Sequence, residues 1–347
     1  MDSRDTYRSF FWPVVLIGVG LVWLLVNLGL LPGGSLGILF RLWPLLLIFI
    51  GLDLIFARRL PLVGGLLGLL AVLVVIGLMI VGPRLGFAPG AAAKTETFVE
   101  PLEGASSAQI ELDLWSSPAF VGALQSSENL FEAKVTHNGQ VIFQTQGGDR
   151  RSIRLGHRST FSGPFDWFDN QQRADIHLSP DTPLELAVDG GSGSINPDLD
   201  ALQLTGLEID GSSGSVNLTL PAAGERYPVN VTGSSGSVDI TIPGGAALDL
   251  ELDSGSGSID IEILDAADLS LELDTGSGAV RVDVPEGAAV RVEVRDDGSG
   301  GLNLGGGLQQ VSGGGDAGVW ETPGFADAGQ QILIIFADRS SGSLTVR

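Results

Sequence analysis

Acidic side chains recur at one fixed position of a repeated turn in the second half of the chain. The turn has the form Ser-Gly-Ser followed by an aliphatic residue, and its first copy is Ser192-Gly193-Ser194-Ile195. Two later copies, at Gly278 and Gly300, have a looser form. Four residues before each central glycine stands an aspartate or, once, a threonine. These residues are Asp189, Asp210, Thr232, Asp253, Asp274, Asp296 and Asp338. If successive turns stack about 4.8 Å apart, the side chains form a row of carboxylates.

Two kinds of chemistry would explain such a row. Aspartate and threonine cap turns, because their side-chain oxygens accept hydrogen bonds from backbone amides one or two residues later. Carboxylates in a row also attract divalent cations, and Ca²⁺ prefers oxygen ligands. The uncharged Thr232 favours capping. We therefore predict no metal site and no cofactor, and Ca²⁺ binding by the six aspartates is the alternative.

No constellation of catalytic residues is recognisable in the sequence. The chain has no cysteine, which excludes disulfides, thiol catalysis and Cys-ligated metal sites. Its three histidines, His137, His157 and His177, follow one another at intervals of 20 residues, but their flanking sequences differ, which argues against a metal column. No serine elbow with a histidine partner, phosphate-binding loop or dinucleotide fingerprint is present. We therefore predict that the protein is not an enzyme.

Aromatic and arginine side chains cluster where the repeat is interrupted. The segment 150–173 contains five arginines and is a candidate docking loop for a partner or for anionic lipid headgroups, because Trp, Phe and Arg are typical interface anchors. A loop that closes one end of the domain is the alternative. A second, weaker candidate loop, 313–329, contains Trp320 and Phe325. The docking candidates are Phe161, Phe165, Trp167, Phe168 and Trp320.

The charge of the chain is divided unevenly along its length. The whole chain has 19 basic and 41 acidic residues and a net charge of −22. Residues 1–94 hold 7 of these basic residues and only 3 of the acidic ones, so the acidity belongs to the remainder. Binding to nucleic acid requires clustered Lys and Arg side chains. We therefore expect no nucleic-acid partner.

Residues 1–85 form a predicted transmembrane region, which is almost continuously apolar from Phe10 to Val81. Three runs, about 11–31, 38–57 and 60–81, have the composition of transmembrane helices. No small-residue cleavage site follows the first run, which favours an uncleaved anchor over a signal peptide. An excess of arginine on one side places the N-terminus in the cytoplasm and the acidic domain outside the cell. Interfacial membrane anchors are Trp12, Trp43, Arg58 and Arg59.

The apolar part contains an internal repeat. Residues 11–21 (FWPVVLIGVGL) align with residues 42–52 (LWPLLLIFIGL), and the Trp-Pro pair recurs after 31 residues. This doubled pattern, over about residues 8–60, resembles the LiaI/LiaF-like transmembrane region of bacterial envelope-stress proteins. The resemblance implies a membrane anchor and interaction module. Its expected partners are the lipid bilayer and either membrane-embedded signalling proteins or a second copy of the chain.

After a Gly/Ala/Pro linker at 86–94, the sequence predicts strands and no helix. Apolar residues alternate, as in Leu248, Leu250 and Leu252. In the regular repeats, at about 185–347, the central glycines are 21, 22, 21, 21, 22 and 42 residues apart. The last interval implies that one copy, near Glu321, has lost its signature. The constant period favours a β-solenoid, similar to a single-stranded β-helix, with rungs of about 21 residues. An antiparallel sandwich of hairpins is the alternative.

The acidic part, residues 95–347, resembles the Toastrack family of adhesin-like β-repeat domains. The likeness lies in Gly-Ser turns and recurrent strand–Pro–Gly units, which follow one another from residue 178 (LSPDTPLELAVDGGSGSINPDLDALQLTGLEIDGSSGSVNLTLPAAG) to residue 250. The resemblance implies a sensing, scaffolding or surface role at the cell envelope.

The sequence thus predicts a membrane α-helical anchor of three transmembrane helices followed by an all-β solenoid. The expected function is that of a non-enzymatic integral membrane protein of the bacterial envelope, a LiaF-like stress sensor or modulator. The alternative is a surface structural or adhesin-like protein in which the β domain is a spacer or a binding surface.

Overall fold

The computed structural model describes residues 10–28, 43–56, 61–81 and 94–347, the last range with short gaps. The gaps are 115–116, 126–127, 138, 159–171, 212, 223, 234, 296–298, 306 and 339–340. The described residues form two compact units, the first within residues 10–81 and the second within residues 94–347.

Three helices form the described part of the first unit: α1 (Phe11–Asn27), α2 (Trp43–Phe56) and α3 (Pro61–Val81). Each has a proline in its first turn, where no backbone donor is needed. Glycine lets α1 and α3 approach closely. A Cβ atom at Gly18 would lie 2.2 Å from Val72 Cγ2, and one at Gly68 would lie 3.1 Å from the backbone oxygen of Phe11.

The prediction of three transmembrane helices is wrong. Helix α1 has 17 residues and α2 has 14, fewer than the roughly 20 residues that a bilayer crossing requires. Within the described residues, no helix combines the length and the apolar character needed to cross a membrane. Apolar composition alone overestimates these helices, because α1 ends at the polar Asn27 and α2 begins only at the Trp43-Pro44 pair.

The second unit consists of strands. In chain order they are β1 (Lys94–Pro101), β2 (Ser107–Asp113), β3 (Ala119–Ala123), β4 (Asn129–His137), β5 (Gln140–Gln146), β6 (Arg150–Arg158), β7 (Arg173–Leu178), β8 (Leu184–Asp189), β9 (Ile195–Pro197), β10 (Leu204–Asp210), β11 (Val216–Thr219), β12 (Tyr227–Gly233), β13 (Val238–Ile242), β14 (Ala247–Ser254), β15 (Ile259–Ile263), β16 (Asp268–Thr275), β17 (Val280–Asp283), β18 (Val290–Val294), β19 (Leu302–Leu304), β20 (Gln309–Gly314), β21 (Ala317–Glu321), β22 (Ile332–Asp338) and β23 (Leu344–Val346). One 3-10 turn, Phe325–Asp327, follows β21.

These strands form two mixed sheets. Sheet A has eleven strands in the order β1-β4-β7-β3-β9-β11-β13-β15-β17-β23-β19, and sheet B has twelve in the order β20-β21-β18-β22-β16-β14-β12-β10-β8-β2-β6-β5. From β8 to β17 the chain alternates between the sheets, and each strand pairs in parallel with the next strand of its own sheet. Leu250, for example, pairs with Leu271, which is 21 residues later.

Alternate side chains of both sheets point into one core. Leu248, Leu250 and Leu252 are buried, whereas the residues between them are exposed. The core cluster extends along the sequence from Ala105 to Val346. Stacking of similar strands therefore buries the apolar face that a single repeat would leave in water.

The second unit departs from the predicted solenoid at both ends. Strands near the C-terminus stack out of sequence order, since β22 lies between β16 and β18 and β23 lies between β17 and β19. Strand β2 likewise lies between β6 and β8. Antiparallel pairs, such as β1 with β4 and β20 with β21, complete the ends. The prediction of a single-stranded solenoid is therefore wrong, because a sequence period indicates the length of a repeat and not the order in which repeats stack.

The segment near Glu321 is not a repeat that has lost its signature. Strands β20 and β21 form an antiparallel hairpin, in which Glu321 pairs with Gln309. After this hairpin the chain returns and inserts β22 and β23 into the two sheets. The interval of 42 residues between Gly300 and Gly342 therefore contains a hairpin.

Candidate functional site

The central glycines of the repeated turns stack on one another. A Cβ atom at Gly214 would lie 1.7 Å from the carbonyl oxygen of Gly193, and one at Gly236 would lie 1.8 Å from that of Gly214. At the far end of the column, a Cβ atom at Gly300 would lie 1.8 Å from the oxygen of Gly342. No side chain fits between these backbones. The glycine of the Ser-Gly-Ser signature is therefore a packing requirement.

The predicted row of turn carboxylates exists in sheet B. Neighbouring members pair in register, Asp189 with Asp210 and Asp253 with Asp274. Asp296 lies outside the described residues. In spatial order, the row is Asp113, Asp189, Asp210, Thr232, Asp253, Asp274 and Asp338. Sequence reasoning missed Asp113, because no Ser-Gly-Ser turn follows β2; the alternation of Ile110 and Leu112 before it was the available signal.

The contact of Asp189 is that of a turn cap. Asp189 Oδ1 accepts a hydrogen bond from the backbone N–H of Gly191 at 3.1 Å, which is the geometry of an aspartate-capped turn. Among the residues that the structure describes, no group of three or more His, Asp or Glu side chains is arranged to hold a metal ion.

A groove of about 340 Å³ lies on the outer face of sheet B. Ala187 and Gly206 create the space, because neither side chain extends beyond Cβ. Glu111, Glu185 and Glu208 line it. These glutamates are far apart in the sequence, and only strand register brings them together, with Ala187 between Glu111 and Glu208. Sequence reasoning therefore could not find the groove, which is suited to a cationic or amide-bearing group.

Two of the groove's glutamates already contact arginines of β6. Arg154 lies 3.1 Å from Glu111, and Arg150 lies 3.3 Å from Glu185. Both pairs are exposed, so each contributes little to stability. The arginines reduce the negative charge around Glu111 and Glu185, so the groove is more acidic near Glu208.

Two of the three histidines meet inside the second unit. The rings of His137 and His157 lie 5.9 Å apart at an interplanar angle of 74°. His137 is buried, its Nδ1 donates to the carbonyl oxygen of Gly139 at 3.0 Å, and its Nε2 lies 3.5 Å from Glu96 Oε1. Burial, and then the neighbouring His137, lowers the pKa of His157 to about 4. His177 instead packs against Phe120, so the three histidines do not form a column.

Of the five predicted docking residues, the structure describes Trp320. Trp320 lies in β21, partly buried against the core, and not in a loop. The other four candidates lie outside the described residues, namely Phe161, Phe165, Trp167 and Phe168. Of the predicted membrane anchors, Trp12 is exposed on α1 and Trp43 begins α2. Arg58 and Arg59 also lie outside the described residues.

Comparison with known families addresses both parts of the chain. Residues 11–96 match the LiaF transmembrane domain. Residues 89–242 match the N-terminal domain of toast_rack. Both resemblances are confirmed. The matches support a membrane envelope protein of LiaF type, and the LiaF domain indicates membrane association. The toast_rack match ends at the last residue of β13, so the out-of-order strands β22 and β23 lie beyond it.

A solved structure is also similar to this chain. It is a protein from Clostridium sporogenes described as "a putative cell adhesion protein", with 13% sequence identity and a TM-score of 0.36. The similarity covers 73% of this chain and 98% of the other. At this score it carries no functional argument. Among curated proteins, no sequence matches this chain.

Proposed function

We propose that the protein is a non-enzymatic regulator of the bacterial cell envelope, a LiaF-like sensor or modulator of envelope stress. In this proposal the N-terminus lies in the cytoplasm and the β domain, residues 94–347, lies outside the cell. The helical part contacts a signalling protein in the membrane. The observation that carries the proposal is the succession, in one chain, of a LiaF transmembrane domain and a toast_rack domain.

The chemistry of the β domain is consistent with recognition. Its repeated turns depend on the close packing of stacked glycines, and Asp189 caps the first of them. Neither feature contributes a nucleophile or a general base. The groove of sheet B instead presents carboxylates on a rigid sheet, which suits a ligand that carries amines or amides. A ligand bound there would lie on strands β2, β8 and β10.

A second candidate function is a surface structural or adhesin-like role, in which the β domain is a spacer or a binding surface. The observation that favours it is the extent of the two sheets, eleven and twelve strands with one continuous core. Such a scaffold presents long rows of outward side chains.

Exchange of the membrane part distinguishes the two functions. A regulator needs its own helices to contact its partner, so replacing residues 8–81 with an unrelated membrane anchor should abolish the response of an envelope-stress reporter to a cell-wall antibiotic. An adhesin or spacer needs only an anchor, and the exchange should leave its function intact. Equal amounts of both proteins in the membrane fraction are the control. A reporter response that survives the exchange would contradict the regulatory proposal.

A further inference from the structure

Four strands stand at the edges of the two sheets, β1 and β19 in sheet A and β5 and β20 in sheet B. Three of them have features that oppose pairing with a further strand. Strand β1 carries Lys94 and Glu100 and has an irregular register at Pro101. Strand β19 has only three residues. The register of β20 shifts between Gln310 and Ser312.

Strand β5 has none of these features. Its sequence, QVIFQTQ, contains no charge and no proline. It pairs regularly with β6 over all seven residues, from Gln140 opposite Arg158 to Gln146 opposite Ser152. Within the described residues β6 is its only strand partner, so one row of its N–H and C=O groups is open. The inner side chains of Val141 and Phe143 are only partly buried at this end of the core.

The described arginine side chains of β6, next to β5, are paired with glutamates, although the chain as a whole is strongly acidic. Three arginines of β6 each face a glutamate, at 3.1 to 3.3 Å: Arg150 with Glu185, Arg151 with Glu100, and Arg154 with Glu111. Two copies of an acidic protein repel each other at most of their surface. At the β5 edge, neutral side chains and paired charges remove much of that repulsion.

We propose that β5 pairs antiparallel with β5 of a second copy of this chain, about a twofold axis at Phe143. The strand is suited to this arrangement because its sequence, QVIFQTQ, is nearly palindromic in side-chain type. Gln140 would face Gln146, Val141 would face Thr145, and Ile142 would face Gln144. The pairing would satisfy the open backbone row, bury Val141 and Phe143 further, and join two twelve-stranded sheets. Closed twofold pairing is the commonest form of self-association. This inference does not depend on the proposed function.

Disulfide trapping tests the pairing directly, because the natural chain has no cysteine. Full-length Ile142→Cys and Gln144→Cys variants are purified in detergent, mixed and mildly oxidised. Residues directly opposite in an antiparallel pair have Cα atoms about 4.5–5.5 Å apart, within disulfide range. Same-position residues lie on a diagonal about 7–8 Å long. The mixture should therefore give on the order of ten-fold more covalent dimer than either variant alone.

The matched control uses β20, the edge strand of sheet B whose register is irregular. Gln309→Cys mixed with Val311→Cys, on β20, should give little covalent dimer. A β5 mixture that gives no more dimer than this β20 mixture would overturn the proposal, and it would favour an intramolecular segment or another protein at the edge.

Charge exchange provides a second test that does not require oxidation. Gln140→Lys combined with Gln146→Lys places lysine opposite lysine at both ends of the proposed pair, and like charges directly opposite are destabilising. Gln140→Lys combined with Gln146→Glu places lysine opposite glutamate. Sedimentation of the full-length protein in detergent should show loss of the dimer in the first variant and a dimer in the second. Identical sedimentation of the two variants would overturn the proposal.

Discussion

The glycine column is the most restrictive feature at the scale of single residues. A Cβ atom at Gly257 would lie 1.8 Å from the carbonyl oxygen of Gly236, and backbone atoms cannot move aside as a flexible side chain can. We expect Gly257→Ala to lower the free energy of unfolding by at least about 2 kcal/mol, the range of overpacking substitutions. Denaturant unfolding of the full-length protein, followed by tryptophan fluorescence, measures this loss.

Gly224→Ala is the matched control for this substitution. Gly224 is exposed, and no atom lies within 4 Å of the position of an added Cβ. Its replacement should change stability by less than about 0.5 kcal/mol. Equal losses in the two variants would show that the column is not the reason for the repeated glycine.

The histidine pair makes stability depend on pH. The pKa of His157 is lowered from 6.5 to about 4 by burial and by His137, so the unfolded chain binds a proton in a range where the folded chain does not. The stabilisation is therefore complete above about pH 6.5 and is lost as the pH falls toward 4. Between pH 7 and pH 4, wild type should lose about 1–2 kcal/mol more than His157→Gln, since solvent screening reduces the effect at a half-buried ring.

Thermal unfolding of both proteins across this pH range measures the difference. The carboxylates of the chain also titrate in this range. Both proteins share them, so the difference between wild type and His157→Gln removes their contribution. If the two unfolding curves shift in parallel with pH, the histidine pair does not act in this way.

At the scale of the elements, the insertion of β22 between β16 and β18 distinguishes this fold from a stack in sequence order. Leu333 pairs with Ser270 on one side and with Arg291 on the other. Cysteines at 333 and 270, or at 333 and 291, should therefore form a disulfide, because adjacent strands are about 4.8 Å apart. Cysteines at 270 and 291 are two strands apart, at about 9.6 Å, and should stay reduced.

Mobility on a non-reducing gel shows whether a disulfide has formed in each of these three double-cysteine variants. Each pair is placed on outward, partly exposed positions, so the core is unchanged. Rapid formation of the disulfide between 270 and 291 would show that the strands stack in sequence order and that β22 lies at the end.

At the scale of the whole molecule, local features were predictable and long-range order was not. The alternation of Leu248, Leu250 and Leu252 predicts an inward face, and burial confirms it. The spacing of Asp253 and Asp274 predicts one row, and their register confirms it. Such features depend on side-chain period and repeat length, which the sequence displays directly.

The features that the sequence did not predict have a common physical cause. The placement of β22, the position of Ala187 between Glu111 and Glu208, and the hairpin at Glu321 each depend on pairing between strands whose order the sequence does not show. Many such pairings bury similar apolar area, so composition and period do not select among them. The predicted lengths of α1 and α2 were too long for a related reason. Apolar composition does not itself define where a helix ends.

We propose that the acidic β domain lies outside the cell and is joined to a LiaF-type domain associated with the membrane. Single-cysteine labelling of intact cells tests it most directly, because the chain has no cysteine of its own. Leu264 is 55% exposed, so Leu264→Cys offers an accessible thiol on the β domain. A membrane-impermeant maleimide should label this variant in intact cells as fully as after lysis. Labelling only after lysis would place the β domain in the cytoplasm and contradict the account.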